Sequence, residues 1–121
     1  MPLPVSATAY VAGRDADLSD ADLHDADLVS ANLGDADLTR AECEGCRFTG
    51  SNLRRASLSE ADLKGADLSR ADLTEASFER ADLREAVLRE ATVARAEFDE
   101  AQMAGADLGG VDTAEAYNLR H

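Results

Sequence analysis

The sequence predicts an all-β solenoid, a chain wound into regular coils instead of folded around a globular core. From residue 16 to residue 110 it divides without a gap into 19 five-residue units of the form Ala-Asp-Leu-x-x. Its apolar residues are nearly all Ala and Leu, with no Trp, three Phe and two Tyr. A globular core of this size uses more bulky aromatic side chains, so a thin and regular core is expected.

A period of five fits neither standard element. Along an α-helix it would spread the leucines around every side, and along one continuous strand it would send alternate leucines to opposite faces. Within one repeat, however, Ala and Leu are two residues apart and share a face, while the residue between them points away. Each repeat is therefore predicted to be a three-residue extended segment followed by a two-residue corner.

The third position of the repeat is predicted to fill the core. It holds 13 Leu, three Phe, and one each of Cys, Val and Met, while the first position is Ala in 17 of the 19 repeats. The predicted core residues are Leu18, Leu23, Leu28, Leu33, Leu38, Cys43, Phe48, Leu53, Leu58, Leu63, Leu68, Leu73, Phe78, Leu83, Leu88, Val93, Phe98, Met103 and Leu108.

Charges at the fifth position predict how many repeats make one coil. Between positions four repeats apart all nine charged pairs have opposite signs, whereas at three repeats eight of ten pairs are alike and at five repeats all six are alike. Stacked strands lie about 4.8 Å apart, where opposite charges attract and like charges repel. The sequence therefore predicts four repeats per coil, with ladders Asp20/Arg40/Glu60/Arg80/Glu100, Asp35/Arg55/Glu75/Arg95/Glu115 and Arg70/Glu90.

The motif Ala-(Asp/Asn)-Leu-x-x, repeated 19 times, closely resembles the pentapeptide-repeat protein family. The resemblance implies a right-handed quadrilateral β-helix of about 4.75 coils, with the third-position side chain central and the small first-position residue beside it. The handedness comes from the resemblance alone. We expect three parts: an N-terminal cap over 1–15, the β-helix over 16–110 and a C-terminal cap over 111–121. In the second cap a short helix over 113–120 is expected to cover the end with Tyr117 and Leu119.

No pattern in the sequence predicts a catalytic, cofactor-binding or metal site. Cys43 and Cys46 form a CxxC, but they occupy the inward third and first positions, and a metal site would need a second pair of ligands. The two thiols are therefore interpreted as packing residues. A coil filled by its own side chains also leaves no ligand cavity. We expect a protein without enzymatic activity and without a cofactor.

Acidic residues at the outward second position are the candidate binding surface. The net charge of -13 excludes unaided binding to nucleic acid or to an anionic membrane, and it favours a protein partner with a basic surface. Stacking at four repeats predicts two acidic columns, the second continued by Ser57, Ser77 and Glu97. Against this functional interpretation, Asp is ordinary at this position throughout the resembled family. The candidate residues are Asp22, Glu42, Asp62 and Asp82 in one column and Asp17 and Asp37 in the other.

Two functions remain open at this stage. The first is a protein-interaction or scaffold module that uses the flat, acidic surface of the β-helix. The alternative, implied by some members of the resembled family, is a DNA mimic that binds DNA gyrase or topoisomerase IV and modulates it or protects it from quinolones or toxins. A monomer or a dimer through a terminal cap is expected. Neither a membrane span nor a signal peptide is apparent, so a cytoplasmic location is the default expectation.

Overall fold

A computed structural model describes residues 14–119, and these residues form a β-helical solenoid built from isolated parallel β-bridges. Each bridge joins second positions that are four repeats apart, as in Asp17 with Asp37 and Asp37 with Ser57. Sixteen such bridges connect residues between 17 and 117. The predicted spacing of four repeats is therefore confirmed. Of the cap expected over 1–15, all but Arg14 and Asp15 lies outside the described residues.

Three backbone hydrogen bonds per repeat hold successive layers together. The N–H of Leu38 donates to the carbonyl of Ser57 at 2.7 Å, and the N–H of Arg40 donates to the carbonyl of Ser59 at 2.9 Å. In the other direction, the N–H of Asp37 donates to the carbonyl of Ala16 at 2.9 Å. Most of the buried backbone is thus satisfied by the neighbouring layers, which a coil of such short segments requires.

The corner of every repeat is a type II β-turn. The N–H of Ala21 donates to the carbonyl of Leu18 at 3.1 Å, and Asp20 between them has a φ of 61°. Every fifth-position residue from 15 to 110 has a positive φ, whereas no described fourth-position residue has one. This combination defines type II, which normally prefers Gly at that position. Only five of these residues are Gly, so the stacked coil imposes a backbone conformation that costs other residues about 1 kcal/mol or more each.

Third-position side chains fill the centre of the coil. Of the 19 predicted core residues, all are buried except Leu108, which is partly buried at the C-terminal end. Phe78 and Phe98, one layer apart, stack with ring centroids 5.0 Å apart and planes 4° apart. First-position alanines from Ala21 to Ala96 are buried beside them, and Ser51 replaces Ala with an Oγ that finds no hydrogen-bond partner among the described residues.

The predicted C-terminal helix is wrong. Residues 113–119 form a turn, two bends and one further bridge, in which Tyr117 pairs with Glu97. Asp112 accepts a hydrogen bond from the N–H of Ala114 at 3.1 Å, so it supports a turn instead of starting a helix. Asn118 has a φ of 58°, which interrupts a right-handed helix.

The residues expected to cover the C-terminal end do so only in part. Tyr117 is 50% exposed, while Leu119 packs, partly buried, against the core. Tyr117 occupies an outward second position because its N–H donates to Ala96 and its carbonyl accepts from Phe98. Pairing with the preceding layer was stronger than the weak helical preference of a short segment.

Candidate functional site: an acidic surface

The structure places the predicted acidic residues in two stacked columns. Asp22, Glu42, Asp62 and Asp82 are linked by consecutive bridges, and a second series runs from Asp17 through Asp37 to the serines and Glu97. Successive repeats occupy successive faces, so the two columns lie on adjoining faces of the coil. The residues that the sequence grouped are therefore brought together.

Most of these carboxylates also stabilise the corner of their own repeat. Oδ1 of Asp37 accepts the N–H of Thr39 at 2.9 Å, and Oδ1 of Asp62 accepts the N–H of Lys64 at 3.1 Å. The same contact, from a side chain to the N–H two residues later, is made by Asp17, Asp22 and Asp82. This Asx-turn gives Asp at the second position a structural role, and its signal in the sequence is an Asp or Asn two residues before a turn residue.

Glu42 is the exception among the candidate residues. Its longer side chain makes no hydrogen bond to the N–H of Glu44 in the described structure, although Glu42 takes part in the bridges of its column. Its carboxylate is exposed. Glu42 therefore stabilises no turn of its own, and its carboxylate is more available for binding than those of the aspartates.

Basic side chains neutralise one end of the first column. Arg84 donates to both carboxylate oxygens of Asp82, at 2.8 and 2.6 Å, and this contact lowers the pKa of Asp82. The side chain of Asp82 is only 19% exposed. Asp62 lies beside Lys64 in the same repeat. The column therefore does not present a uniform row of free negative charge.

Ion pairs between stacked fifth-position residues neutralise further carboxylates. Arg40 lies 2.9 Å from Asp20 and 3.9 Å from Glu60, and Arg80 lies 3.5 Å from Glu60 and 3.7 Å from Glu100. The first predicted ladder is thus complete. In the second, Asp35 pairs with Arg55 at 2.8 Å and Glu75 with Arg95 at 3.7 Å.

Three of the nine predicted ladder pairs do not form an ion pair in the described residues. They are Arg55 with Glu75, Arg95 with Glu115, and Arg70 with Glu90. The register predicted from the signs of the fifth-position charges is correct. Two charged residues in the same column can nevertheless point their side chains away from each other. Arg55, for example, is held by two hydrogen bonds to Asp35.

In the first two layers a group of carboxylates has no Lys or Arg partner among residues 14–119. We call it the N-terminal acidic patch: Asp17, Asp22, Asp25, Asp37, Glu42 and Glu44. It covers two adjoining faces in the first two layers. Residues 16–35 contain six acidic residues and no Lys or Arg, so the patch residues of the first layer have no basic residue within that layer. Hydrogen bonds from Ser19 lower the pKa of Asp17.

The sequence-based selection and the patch overlap only in part. Asp82 is left out because it pairs with Arg84, and Asp62 is left out because it lies in the third layer, near the charge of Arg84. The selection missed Asp25 and Glu44 because it considered second positions alone. For Asp25 the signal that could have found it is the lack of Lys and Arg within its repeat and four repeats along, where Gly45 stands. Glu44 gives no such signal, because Lys64 lies four repeats along. Asp25 does contact His24, with Nε2 to Oδ2 at 3.2 Å.

The two cysteines lie in the core. Both are fully buried free thiols, and Cys46 donates to the carbonyl of Leu23 through Sγ at 2.7 Å. Donation of the Cys43 S–H to Cys46, together with burial, raises the pKa of Cys43 well above its ordinary value. Within residues 14–119, no group of three or more His, Cys, Asp or Glu is arranged to hold a metal ion. The contacts agree with the packing role expected from the repeat position.

A scan against protein-family models gives a match that extends over nearly all of the described coil. The model for pentapeptide repeats matches in eight copies over 16–55, 51–89 and 76–112. The chain belongs to the pentapeptide repeat family. Two solved pentapeptide repeat proteins share its fold at useful similarity. The first, from the thylakoid lumen of Arabidopsis thaliana, is 26% identical with a TM-score of 0.64, and the match covers 93% of this chain and 73% of that one.

A second pentapeptide repeat protein, from Nostoc, is 34% identical with a TM-score of 0.54, over 93% of this chain and 83% of that one. QnrB1, described as a plasmid-mediated fluoroquinolone resistance protein, matches over 96% of this chain and 74% of that one. Its identity of 19% and TM-score of 0.41 are too low to support an argument about function. A search of curated proteins finds no match. No helix in the described part of this pentapeptide repeat protein could cross a membrane.

Proposed function

We propose that this pentapeptide repeat protein is a non-enzymatic interaction or scaffold module that binds a basic surface of another protein. The observation that supports this function best is the N-terminal acidic patch, whose six carboxylates have no Lys or Arg partner in the described coil while many carboxylates elsewhere are paired. Complementary charge speeds association and selects partners. The rigid coil fixes the carboxylates relative to one another, so the patch can bind without first being ordered.

The experiment compares two variants with the same loss of charge. In the patch variant Asp22→Asn, Glu42→Gln and Glu44→Gln remove three charges, and Asn can still accept the N–H of His24. In the control variant Asp67→Asn, Glu85→Gln and Glu90→Gln remove three charges from the middle of the coil. Each protein is immobilised, and proteins retained from an extract of the source cells are quantified by mass spectrometry.

We expect basic partners to be retained by the wild type and the control variant and lost from the patch variant. Retention should fall as salt rises from about 0.05 to 0.5 M, because the screening length shortens to a few ångströms. Each retained protein is then purified and titrated against the three forms. Equal binding of the same purified partners to the patch variant and the control would contradict the proposed function.

A DNA mimic directed at gyrase or topoisomerase IV is the alternative, and we rank it second. A mimic needs negative charge along the length of the coil, whereas residues 36–95 carry 12 acidic and 10 basic residues. A gyrase supercoiling assay separates the two proposals. Inhibition or drug protection at moderate salt, lost in the patch variant, would favour the mimic, and no effect at a large molar excess would remove it.

Three finer features belong to the same proposal. We propose that the coil is a right-handed quadrilateral β-helix of about 4.75 coils, that the protein is a monomer or a dimer through a terminal cap, and that it acts in the cytoplasm. The four-repeat spacing between bridged positions supports the four-sided coil.

A further inference from the structure

Both cysteines of the chain lie at the ends of one corner of the coil. The N–H of Cys46 donates to the carbonyl of Cys43 at 3.0 Å, and Gly45 between them has a φ of 73°. They are therefore the first and fourth residues of a type II β-turn, whose Cα atoms lie within about 7 Å of each other. At most other corners these two positions hold Leu and Ala. Cysteines joined by a disulfide have Cα atoms about 4.4 to 6.8 Å apart, so the backbone of this corner suits such a bond.

The two side chains also meet inside the coil. Both are 0% exposed, and the S–H of Cys43 donates to Cys46. The S–H of Cys46 in turn donates to the carbonyl of Leu23 at 2.7 Å. That carbonyl also accepts the N–H of Ala26 at 2.8 Å, so it keeps a partner if the thiol proton of Cys46 is lost. Closing a disulfide therefore requires only that the contact between the two sulfurs shortens and that both thiol hydrogens are removed.

Glycine at the fifth position makes this corner adaptable. Most corners hold Asp, Glu, Arg or Ser there in a left-handed conformation, whereas Gly45 adopts it without the steric cost of a Cβ. Small changes of the backbone that a new bond across the corner demands can be taken up at Gly45. A Cβ at this position would also collide with the carboxylate of Asp25, so the corner lies directly against the N-terminal acidic patch.

We propose that Cys43 and Cys46 are a redox pair that closes an intramolecular disulfide across this corner on exposure to a peroxide and is reopened by thiols. In a reducing compartment such a pair rests as two free thiols, the state in which the structure shows it, and closes only in response to an oxidant. The proposal does not depend on the binding role of the N-terminal acidic patch, although Glu44 of the patch lies in the same corner.

The reaction balances with hydrogen peroxide as the oxidant. Because Cys43 holds its proton and donates to Cys46, Cys46 is the sulfur that attacks first. It loses its proton and bonds to one peroxide oxygen, the O–O bond breaks, and the released hydroxide takes up a proton to leave as water. Cys43 then loses its proton and attacks the sulfur of the Cys46 sulfenic acid, which expels a second water. Two thiols and one peroxide thus give one disulfide and two waters.

The test treats the folded, full-length protein with hydrogen peroxide, traps the remaining thiols with N-ethylmaleimide in denaturant, and digests the protein with trypsin. Cleavage after Arg40 and Arg47 releases residues 41–47, which contain both cysteines. We expect this peptide to carry no maleimide and to be lighter by two hydrogens. Incubation of the oxidised protein with dithiothreitol before trapping should restore both thiols.

A matched control keeps two buried thiols but moves one of them off the corner. In the variant Cys46→Ala with Ala41→Cys, positions 41 and 43 lie on one face of the same segment, and both are 0% exposed in the wild type. The same tryptic peptide reports on both thiols. We expect its conversion to disulfide to be at least about tenfold lower than in the wild type, because no turn brings the two sulfurs together.

A second measurement asks whether the fold favours the disulfide. The wild type is equilibrated with mixtures of reduced and oxidised glutathione, once folded and once in urea that unfolds it, starting from both the reduced and the oxidised protein. Because the folded corner holds the sulfurs in contact, its equilibrium constant for disulfide formation should be larger by about tenfold or more. The oxidised protein should then unfold at a higher urea concentration than the reduced protein.

Several results would overturn the proposal. The folded protein resists peroxide while the unfolded protein is oxidised, or its cysteines stop at sulfenic or sulfonic acid. The disulfide joins two chains, which yields two linked copies of the 41–47 peptide. The matched control closes its disulfide as readily as the wild type, or the folded and unfolded forms have equal equilibrium constants, and the corner then serves packing alone. None of these results bears on the N-terminal acidic patch, whose binding is tested separately.

Discussion

The middle of the coil and its last layer are built from the same repeat but differ in how well they are completed. Between residues 36 and 95 every first- and third-position side chain is buried, and arginines of one layer contact carboxylates of the next. In 96–115 the first-position residues from Ala101 onward are partly exposed, and six acids have no base in their own layer. The repeat determines the backbone, whereas burial and charge compensation depend on having a layer on both sides.

The largest effect that can test this comparison is a cavity in each region. Leu63→Ala removes a fully buried side chain from the middle and should lower the free energy of unfolding by about 2 to 5 kcal/mol. Leu108→Ala, at a partly exposed position, should cost about half as much or less because water already reaches it. Urea unfolding followed by circular dichroism measures both. Equal losses would mean that the last layer is as well packed as the middle.

A buried hydroxyl in the middle layers should be a defect that can be repaired. Ser51 is 1% exposed, and its Oγ has no partner in the described structure, so Ser51→Ala is expected to raise the free energy of unfolding by about 1 kcal/mol or more. Ala71 occupies the same position one layer on, and Ala71→Ser should produce a comparable loss. A stability loss in Ser51→Ala would show that the hydroxyl makes a contact after all.

Backbone strain at the corners can be measured at a site with free space. No atom lies within 4 Å of a Cβ built on Gly65, which has a φ of 69°, so Gly65→Ala isolates the conformational cost. We expect a loss of about 1 kcal/mol in the free energy of unfolding. The reverse change, Arg70→Gly at a φ of 58°, should stabilise by up to about the same amount. Thermal unfolding of the two variants against the wild type decides the sign.

The smallest expected effect is on the loss of stability at acid pH. Hydrogen bonds from Arg55 and then Arg14 lower the pKa of Asp35 from 3.8 to about 2. Because the folded pKa is depressed, these contacts contribute their full stability above about pH 4 and lose it as the pH falls through about 2. Asp35→Asn should therefore unfold with a smaller loss of stability between pH 4 and pH 2 than the wild type. Urea midpoints at several pH values measure this difference, and Asp22→Asn is a control that removes an acid without a basic partner in the described coil. An unchanged acid dependence in Asp35→Asn would contradict the assignment.

The sequence predicted the register because the charges at the fifth position carry it. Signs at Asp20, Arg40 and Glu60 alternate only at a spacing of four repeats, and the structure pairs those side chains with their neighbours. The same argument could not say which charged residues remain unpaired, since that depends on rotamers such as that of Arg84. The positive φ of the fifth-position residues was also not predicted, because Glu and Arg at those positions give no local signal for it.

The C-terminal cap was predicted wrongly for a related reason. A short Ala- and Glu-containing segment favours a helix locally, but the N–H and carbonyl of Tyr117 pair with Ala96 and Phe98 in the preceding layer. Such long-range pairing has no counterpart in local sequence preference. The acidic columns could be predicted from the repeat spacing. Which of their carboxylates lack a basic partner could be determined only from the positions of the Arg and Lys side chains.

The four-repeat spacing between bridged positions also determines how this chain tolerates changes in length. Duplicating or deleting four consecutive repeats would lengthen or shorten the coil by one layer, and every later side chain would stay on its original face. Removing a single repeat would instead rotate everything downstream to the next side, while the corners and the apolar interior remained intact. A chain of this kind can thus exchange one outer surface for another without any change in the way it folds locally.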